Sequence, residues 1–466
     1  HLLSLKLRFN KMRITKARIN TMRFIISESI RIDDEIFKAL KNKNYNEFLQ
    51  KEYGEGLAGL GMSISSPNDF TEEYKHDPRR EIKLSNKSKS AILHMLNELI
   101  KEVNLEMNST TNEFYIEFKK IFYNHFFLGD GNIDHDGCLK ILNEVVNRIK
   151  DSLLDEDFYF PILANGLKKD EINLGIASII PKENIFSDIQ PNFTTDVIEL
   201  AEEFCNSQLH SYKHFLKITI KNCSKERRKY LSKQIANFIV GIIQLFSEHF
   251  QIDSDVVALS LNPYPNYESF YITNNDDGYN YCFSSKGTIV HSAVFWQKFK
   301  QENASELGSI IKQIIIHATT PKSNPVLVDR LIDAIFIFRS AMQDNDDSSK
   351  IVKLTTALER LVNTQKDNIT STFISRVTLL LNMYHKDNSD WSSIAKEMYN
   401  YRSEIVHGSW SLYRQTKPLY AGRYSELTSK ALISACIGFF HVGLKREDDI
   451  KLINSFYDYL SKNNQS

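Results

Sequence analysis

The chain beyond Pro325 has a pattern that leaves little freedom of fold. Apolar residues recur there at the spacing of one helix face, in segments that short polar stretches separate. Amphipathic helices joined by short loops form antiparallel bundles, because each helix must bury its apolar face against a neighbour. The predicted helices are Val326–Met342, Ile351–Val362, Thr370–Tyr384, Asp390–His407, Tyr424–Gly443 and Glu447–Leu460. We therefore predict an all-α bundle over residues 325–466.

Before this bundle, helical and strand-like patterns alternate. Helical spacing is found over residues 88–103, 111–127, 138–154, 194–219 and 226–250. Short runs rich in Ile, Val, Phe and Tyr predict strands at residues 23–32, 159–163, 172–180, 256–261 and 269–273. Two prolines within residues 319–325 interrupt the helical pattern and indicate a boundary. We therefore predict the α+β fold class, with a mixed α/β region over residues 22–320 and the all-α bundle after it.

The first 21 residues are basic and contain no acid, since the first acidic residue is Glu28. A basic, acid-free segment with Leu and Ile is typical of an organellar transit peptide, but serine is scarce in this one. We favour a plainer interpretation of residues 1–21. They are a basic leader or an extension joined upstream of a folded chain that starts near Met22.

Composition limits the class of protein. The chain has 466 residues, 42% of them hydrophobic and 25% charged, which suits two or three domains with a substantial core. Its formal net charge of zero argues against a protein that attracts nucleic acid by its overall charge. The five cysteines form no CxxC pair, which indicates reduced thiols and no zinc site. No apolar run is long enough to cross a bilayer, so we expect a cytoplasmic protein with no membrane partner.

Two loops resemble known ligand-binding loops. Gly54–Gly59 fits the dinucleotide fingerprint G-x-G-x-x-G, but no strand precedes it and a loop-like segment follows, so we interpret it as a flexible loop. Residues 132–143 resemble an EF-hand calcium loop, with Gly137 correctly at the sixth position. However, Asn132 is the first ligand and Asn143 the twelfth, where a bidentate glutamate is needed. A polar turn between helices is the better interpretation, and a calcium-responsive protein is a weaker alternative.

His210 and His214 lie at positions i and i+4 of a predicted helix, a spacing that can hold a metal. No HExxH motif accompanies them, and Lys213 and Lys217 nearby disfavour a cation. We interpret the two histidines as part of a solvated helix face and predict no metal site.

The stretch from Tyr399 to Trp410 combines residues suited to chemistry. Arg402 and His407 lie five positions apart at the end of a predicted helix, and Gly408, a residue type that ends helices, follows directly. On a regular helix this spacing turns the two side chains about 140° apart. They reach one cleft only if the helix loosens at its end or a partner helix closes the gap. The plainer interpretation is that both cations complement the negative end of the helix dipole.

Three segments of the bundle resemble the HEPN superfamily, specifically its ApeA-like branch of prokaryotic antiviral and abortive-infection proteins. Asp329–Arg339 is similar to the first family helix, and Leu354–Leu361 to the family's ALE helix. Tyr401–Gly408 matches the Arg-x4-His signature with its trailing glycine. The order and spacing of the three segments agree with the family over residues 325–466. Ser403 stands where many members have a polar amide or an acid.

This resemblance implies a metal-independent endoribonuclease without a cofactor, an antiviral or abortive-infection toxin. In the family, two bundles pair so that each contributes its Arg-x4-His helix to one composite cleft. His407 would act as general acid or base, since an unperturbed imidazole has a pKa of about 6.5. Arg402 would bind the scissile phosphate and stabilise the charge of the transition state. RNA, as tRNA or mRNA, is the expected substrate because the nucleophile is a 2′-hydroxyl.

Further side chains would support this site. Those expected to orient the catalytic pair are Asn400, Ser403, Glu404 and Glu359. Those expected to contact RNA are Lys396, Arg414, Lys417 and Arg423 at phosphates and Tyr401 and Trp410 by stacking on bases. The plainer interpretation makes the two aromatic residues part of the core and pairs Glu359 with Arg360 or Arg376.

The resemblance also implies the partners of the protein. We expect a homodimer or higher homo-oligomer formed through the bundle, and a phage-derived trigger sensed by the region before it. The alternative function is a non-catalytic HEPN module that serves dimerisation or RNA binding.

Overall fold

Helices make up most of the protein in the computed structural model. The structure describes residues 14–53, 72–74, 77–82, 84–126, 129, 131–162, 164, 166–185, 199, 202–203, 206–207, 212–251, 266–275, 278–286, 293–319, 326–344, 346–364, 368–385, 389–410, 420–443 and 449–463. A small antiparallel sheet accompanies the helices, so the predicted α+β class is confirmed in a mostly helical form. The chain divides into two compact units, one of His1–Asp155 with Asn222–Lys229 and one of Glu156–Lys221 with Tyr230–Ser466.

The first unit is built around four of its helices. Its described elements are α1 (Lys16–Lys41), α2 (Tyr45–Tyr53), β1 (Glu72–Tyr74), β2 (Asp77–Ile82), α3 (Asn86–Glu102), α4 (Thr111–Phe126) and α5 (His135–Asp151). The core joins α1, α3, α4 and α5, which contribute Met22, Leu96, Phe118 and Leu142 among others. The helices predicted at 88–103, 111–127 and 138–154 are confirmed to within a few residues.

Residues 23–32 belong to α1, so the strand predicted there is wrong. Met22, Ile25 and Ile32 are buried at helical spacing. Phe24 and Ile30 lie on the exposed side of the same helix. Apolar residues on both sides of a helix imitate the composition of a strand, and this explains the wrong prediction.

The fold also begins earlier than predicted, because α1 starts at Lys16. The hydroxyl of Thr15 accepts a hydrogen bond from the backbone N–H of Arg18 at 3.3 Å and caps the helix. The Arg18 side chain is buried and its Nη2 lies 2.7 Å from Oε2 of Glu102. Residues 16–21 therefore belong to a packed helix. Residues 1–13 and the Gly54–Gly59 loop lie outside the described residues.

The segment that resembles a calcium loop lies mostly within α5, since only residues 132–134 precede the helix and residues 135–143 belong to it. Asp134 is the N-cap of α5, and its carboxylate accepts a hydrogen bond from the N–H of Gly137 at 2.8 Å. This carboxylate satisfies one of the free amides that begin a helix. The predicted polar turn between two helices is confirmed at residues 132–134.

Most of a four-stranded sheet lies in the second unit, with strand order β3–β6–β5–β4. The strands are β3 (Leu154–Ile162), β4 (Ile172–Asn173), β5 (Ala177–Pro181) and β6 (His214–Cys223). Both β4–β5 and β5–β6 are antiparallel. Leu216, Ile218 and Ile220 of β6 are fully buried, so one sheet face is core. The strand predicted at 159–163 is confirmed. Residues 172–180 are extended as predicted but form two antiparallel strands, β4 and β5, with a turn between them.

Strand β6 replaces the end of the helix predicted over 194–219. His214 therefore lies on a strand, where its Nε2 donates a hydrogen bond to the backbone carbonyl of Lys168 at 3.1 Å. The predicted solvated helix face is wrong at His214, which is buried. His210 lies outside the described residues.

The remaining strands, β7 (Asn266–Asn275) and β8 (Gly278–Lys286), form an antiparallel hairpin. This confirms the strand predicted at 269–273. The strand predicted at 256–261 lies outside the described residues.

The helices that follow the sheet agree with prediction except at residues 293–303 and 306–319, where two observed helices were not predicted. They are α6 (Lys225–Phe250), which continues from the first unit, α7 (Ala293–Asn303), α8 (Glu306–Thr319), α9 (Val326–Met342), α10 (Asp347–Val362), α11 (Ile369–Tyr384), α12 (Trp391–Val406), α13 (Gly422–Val442) and α14 (Asp449–Asn463). The helices predicted after Pro325 correspond to α9–α14, with ends that differ by a few residues.

Helix α13 lies at the centre of the bundle and packs against α8 through α12. Its hydroxyl groups can be buried because Ser425, Thr428 and Ser434 each donate to the carbonyl four residues earlier. Packing therefore does not stop at the boundary predicted at 319–325, since α8 contacts both α9 and α13. In the part of the chain that the structure describes, no helix has both the length and the apolar character of a membrane span.

Candidate functional site

Helix α12 carries the Arg-x4-His stretch and is held at its start by a side-chain cap. The Asp390 carboxylate accepts hydrogen bonds from the N–H of Ser393 at 3.1 Å and from its hydroxyl at 2.6 Å. Ala395, Met398 and Tyr399 are buried against the bundle. Arg402 follows Tyr399 by three positions, so it continues this inward face.

The helix ends where the glycine predicts. The N–H of His407 donates to the carbonyl of Ser403 at 3.0 Å, and that of Gly408 to Ile405 at 3.3 Å. Gly408 has φ +76, in the left-handed region, and a Cβ there would meet nothing within 4 Å. Glycine is therefore needed at this position for its backbone conformation, and not because a larger side chain would clash. The N–H of Trp410 then donates to the carbonyl of Glu404 at 3.0 Å and folds the chain back on the helix end.

Arg402 is partly buried, and its ion pair with a described residue is loose. Its Nη2 lies 3.5 Å from Oε2 of Glu359 on α10, with side chains 25% and 18% exposed. Its guanidinium carbon lies 5.9 Å from the ring centroid of Tyr399. The Nε atom is buried and has no hydrogen-bond partner among the described residues. Among the described residues, the Nη2 group thus faces a loosely placed carboxylate and the buried Nε faces no acceptor.

Glu359 does not pair with the arginines of the plainer interpretation. The Nε of Arg360 donates to Asp333 at 2.9 Å. The guanidinium of Arg376 donates to the carbonyl of Val362 at 2.7 Å and to Asn454 at 2.6 Å. Glu359 is therefore directed at Arg402, and the structure brings together these two predicted site residues.

His407 lies on a different side of α12 from Arg402. The residue is exposed, and within the described ranges no side chain hydrogen-bonds to its imidazole. Asn400 and Glu404 are exposed on the same side, and neither contacts the imidazole in those ranges. Ser403 contributes through its backbone carbonyl. The predicted orientation of His407 by Asn400 or Glu404 is therefore not seen in this single chain.

The aromatic residues predicted to stack on bases pack on protein instead. The rings of Tyr401 and Trp410 meet edge to face with centroids 5.4 Å apart, and Tyr401 lies 6.3 Å from Tyr424 of α13. Both residues are only partly exposed. Their packing fixes the returning chain beside His407, which agrees with the plainer interpretation of core aromatics.

The residues predicted to contact phosphates differ in their surroundings. Arg423 lies with its Nη1 3.1 Å from Oε2 of Glu397 and over the ring of Tyr424. Burial, and then a hydrogen bond to Glu397, raise the pKa of the Tyr424 hydroxyl far above its usual value. Lys396 is exposed on α12. Arg414 and Lys417 lie outside the described residues.

Two neighbours of the site have no assigned role in the sequence predictions. Tyr399 could have been found, because a residue three positions before Arg402 shares its helix face. Glu397 has no local signal, since its partner Arg423 lies on another helix. Within the residues that the structure describes, no cluster of three or more His, Cys, Asp or Glu is arranged to hold a metal ion.

Comparison with known proteins gives no relative. No protein-family model matches the chain, and no curated protein or solved structure does so. The resemblance to the HEPN superfamily therefore rests on the residues of α9, α10 and α12 and stays a prediction. The chemistry of the site has to be argued from Arg402, His407 and their surroundings.

Proposed function

We propose that the protein is a metal-independent endoribonuclease that cleaves RNA with Arg402 and His407, in the manner of the ApeA-like HEPN proteins that its bundle resembles. An antiviral or abortive-infection role follows from the same resemblance, as does action in the cytoplasm. The residues argue for the chemistry, and the resemblance supplies the biological setting.

The observation that carries the proposal is the state of Arg402. A partly buried guanidinium normally spends its donors on carbonyls or carboxylates, because an unmade buried hydrogen bond costs about 1–3 kcal/mol. Arg402 keeps its buried Nε unpaired and has one carboxylate at 3.5 Å, too far for a good charge-assisted hydrogen bond. Such an arginine is suited to an anion that accepts two parallel hydrogen bonds, and a phosphodiester does so.

His407 would supply the proton transfers. One imidazole accepts the proton of the 2′-hydroxyl while O2′ bonds to phosphorus, and the P–O5′ bond breaks. The leaving 5′-oxygen takes a proton from an imidazolium, either the one so formed or the protonated His407 of a second copy, and the products are a 2′,3′-cyclic phosphate and a 5′-hydroxyl. Arg402 would stabilise the negative charge on the phosphoryl oxygens in the transition state. DNA lacks the nucleophile and would not be cleaved.

One copy of α12 does not direct both groups at the same phosphate. Arg402 faces the bundle near α10, whereas His407 is exposed at the helix end. Their spacing turns them about 140° apart. A second copy would bring its own α12 against the first and complete the cleft, so the proposed enzyme is a homodimer or a higher oligomer.

Cleavage of RNA in EDTA tests the proposal. Purified protein should cleave tRNA or total RNA into fragments with cyclic phosphate ends, and His407→Ala should abolish cleavage. The matched control is His94→Ala, which removes an exposed histidine on α3 of the first unit and should cleave like the unsubstituted protein. Equal cleavage by His407→Ala and the unsubstituted protein would show that the activity comes from elsewhere.

A non-catalytic module for dimerisation or RNA binding is the second candidate. In its favour, the described residues provide no hydrogen bond that would orient the His407 imidazole for proton transfer. This function predicts RNA binding that Arg402→Ala weakens and no cleavage with any RNA or trigger.

A further inference from the structure

The pair formed by Arg402 and Glu359 has a consequence for how an anion reaches the site. Glu359 lies on α10, between Leu358 and Leu361, which are fully buried and fix this part of the helix. The neighbouring cations Arg360 and Arg376 are bound to other groups. The Glu359 carboxylate is therefore held close to Arg402 by the packing of the bundle.

Arg402 and Glu359 attract each other by charge, but the distance between them is too long for a good hydrogen bond. A charge-assisted N–H···O bond measures about 2.7–2.9 Å, whereas Nη2 of Arg402 and Oε2 of Glu359 are 3.5 Å apart. Both side chains are less than one third exposed, so solvent screens their attraction only in part. The carboxylate attracts the guanidinium without using its donors.

A phosphate that binds Arg402 meets this carboxylate. Two anions on one guanidinium repel each other, and the guanidinium can turn its fork of donors fully to only one of them. The phosphate must therefore displace Glu359 or bind against its charge. Either way, Glu359 weakens anion binding at Arg402.

We propose that Glu359 is an internal competitor of the substrate, a carboxylate that occupies the charge of Arg402 until a phosphodiester of RNA replaces it. This inference rests on the proposed function, because it names the ligand of the same arginine. It differs from a supporting role, in which Glu359 would orient Arg402 and its loss would weaken binding.

Binding of an RNA that cannot be cleaved tests this directly. The probe is a fluorescent oligonucleotide with 2′-O-methyl groups throughout, which lacks the nucleophile but keeps every phosphate. Its dissociation constant is measured by anisotropy with the full chain and with Glu359→Gln, Glu306→Gln and Arg402→Ala. Glu359→Gln keeps the shape of the side chain, and a thermal melt confirms that each variant folds.

Glu306→Gln is the matched control for charge. Glu306 is an exposed carboxylate on α8 of the same unit, and its Oε1 lies 3.6 Å from Nε2 of His441 and not beside Arg402. Removing it changes the net charge of the protein by the same amount. A competitor must act through Arg402, whereas a general charge effect would be the same in both variants.

The expected result is that Glu359→Gln binds the probe about fivefold more tightly than the unsubstituted chain, while Glu306→Gln changes binding less than twofold. Arg402→Ala should bind about tenfold more weakly, and adding Glu359→Gln to it should restore nothing. Weaker or unchanged binding by Glu359→Gln overturns the inference, and so does an equal gain in Glu306→Gln.

The inference and the proposed function fail in different ways. If Arg402→Ala binds the probe as well as the unsubstituted chain, Arg402 has no phosphate ligand and both fail. If Arg402→Ala weakens binding and Glu359→Gln does not strengthen it, only the competition fails. Absence of cleavage in the separate EDTA assay would contradict the proposed ribonuclease activity. The result of the binding experiment would not be affected.

Discussion

The hydroxyl of Ser224 donates a hydrogen bond to the carboxylate of Glu113, and this bond joins the first turn of α6 to the first turn of α4. The same carboxylate accepts the backbone N–H of Thr110 and that of Glu226, each at 3.0 Å. Both helix starts have amides without partners inside the helix. One side chain therefore caps two helices of the first unit.

Replacing this cap should destabilise the first unit. Glu113→Gln turns one carboxylate oxygen into an NH₂ group that cannot accept, so we expect the free energy of unfolding to fall by about 1–3 kcal/mol at pH 7. Urea unfolding followed by circular dichroism measures the change. Glu106→Gln, at an exposed glutamate in the same unit, is the control and should be close to neutral. Equal stability of the two variants would contradict the double cap.

The cap also predicts a pH dependence. Burial alone would raise the pKa of Glu113, but the hydrogen bonds from Ser224, Glu226 and Thr110 outweigh it and hold the pKa below its usual value. The ionised cap then stabilises the fold above the unfolded pKa of about 4.5, and this contribution is lost as pH falls through the lower folded pKa. Glu113→Gln should lack this part of the acid dependence.

The end of α12 depends on the conformation of Gly408. Alanine at φ +76 is strained by about 1–2 kcal/mol, so Gly408→Ala should lower the melting temperature of the protein. Scanning calorimetry measures the shift. Gly422→Ala is the matched control, because a Cβ at the first position of α13 also meets nothing within 4 Å and has no positive φ. A loss of stability in the control as large as in Gly408→Ala would show that strain is not the cause.

Patterns within one element were sufficient to predict most helices. The apolar residues of α9 repeat along the helix itself, and its predicted bounds are those observed. The failures come from ambiguous patterns. Leu216, Ile218 and Ile220 alternate with polar residues, a signal of a strand that the wider helical spacing of the segment concealed. In α1, apolar residues on both faces produced the opposite error.

The site was predictable only where it is local. Arg402, His407 and Gly408 stand close together in the sequence, and the glycine ends the helix as predicted. The contact of Arg402 with Glu359 joins two helices, and its geometry depends on how α10 and α12 pack. The same holds for Arg423 and Glu397, where a residue predicted to bind RNA has a protein carboxylate beside it.

A half-buried histidine makes the second unit sensitive to acid. His249 of α6 lies with its ring centroid 5.7 Å from that of His385, and its Nδ1 is buried without a hydrogen-bond partner in the described part of the chain. Burial, with smaller contributions from His385 and Lys430, lowers the pKa of His249 to about 4. The folded protein therefore keeps this imidazole neutral at a pH where the unfolded chain takes up a proton.

The sign of the pH effect follows from these two values. Between the unfolded pKa of about 6.5 and the folded value, stability falls as pH falls, by a total on the order of 3 kcal/mol. The neighbouring Glu248 acts in the opposite direction, because burial raises its pKa. His249→Phe should flatten the decline in unfolding free energy between pH 6.5 and 5. The exposed His94→Phe is the control, and an unchanged slope in His249→Phe would contradict the prediction.

The proposed cleavage should depend on the shape of the guanidinium and not only on its charge. Arg402→Lys keeps a cation on α12 but loses the planar fork that grips two phosphoryl oxygens, so the cleavage rate should fall about 100-fold. Arg148→Lys in the first unit is the matched control, since Arg148 is about half exposed and lies beside Glu144, and its rate should change less than about threefold. Single-turnover cleavage of one defined RNA measures both. Lysine cannot make the bidentate contact. If Arg402→Lys cleaves RNA as fast as the unsubstituted protein, Arg402 therefore contributes only its charge.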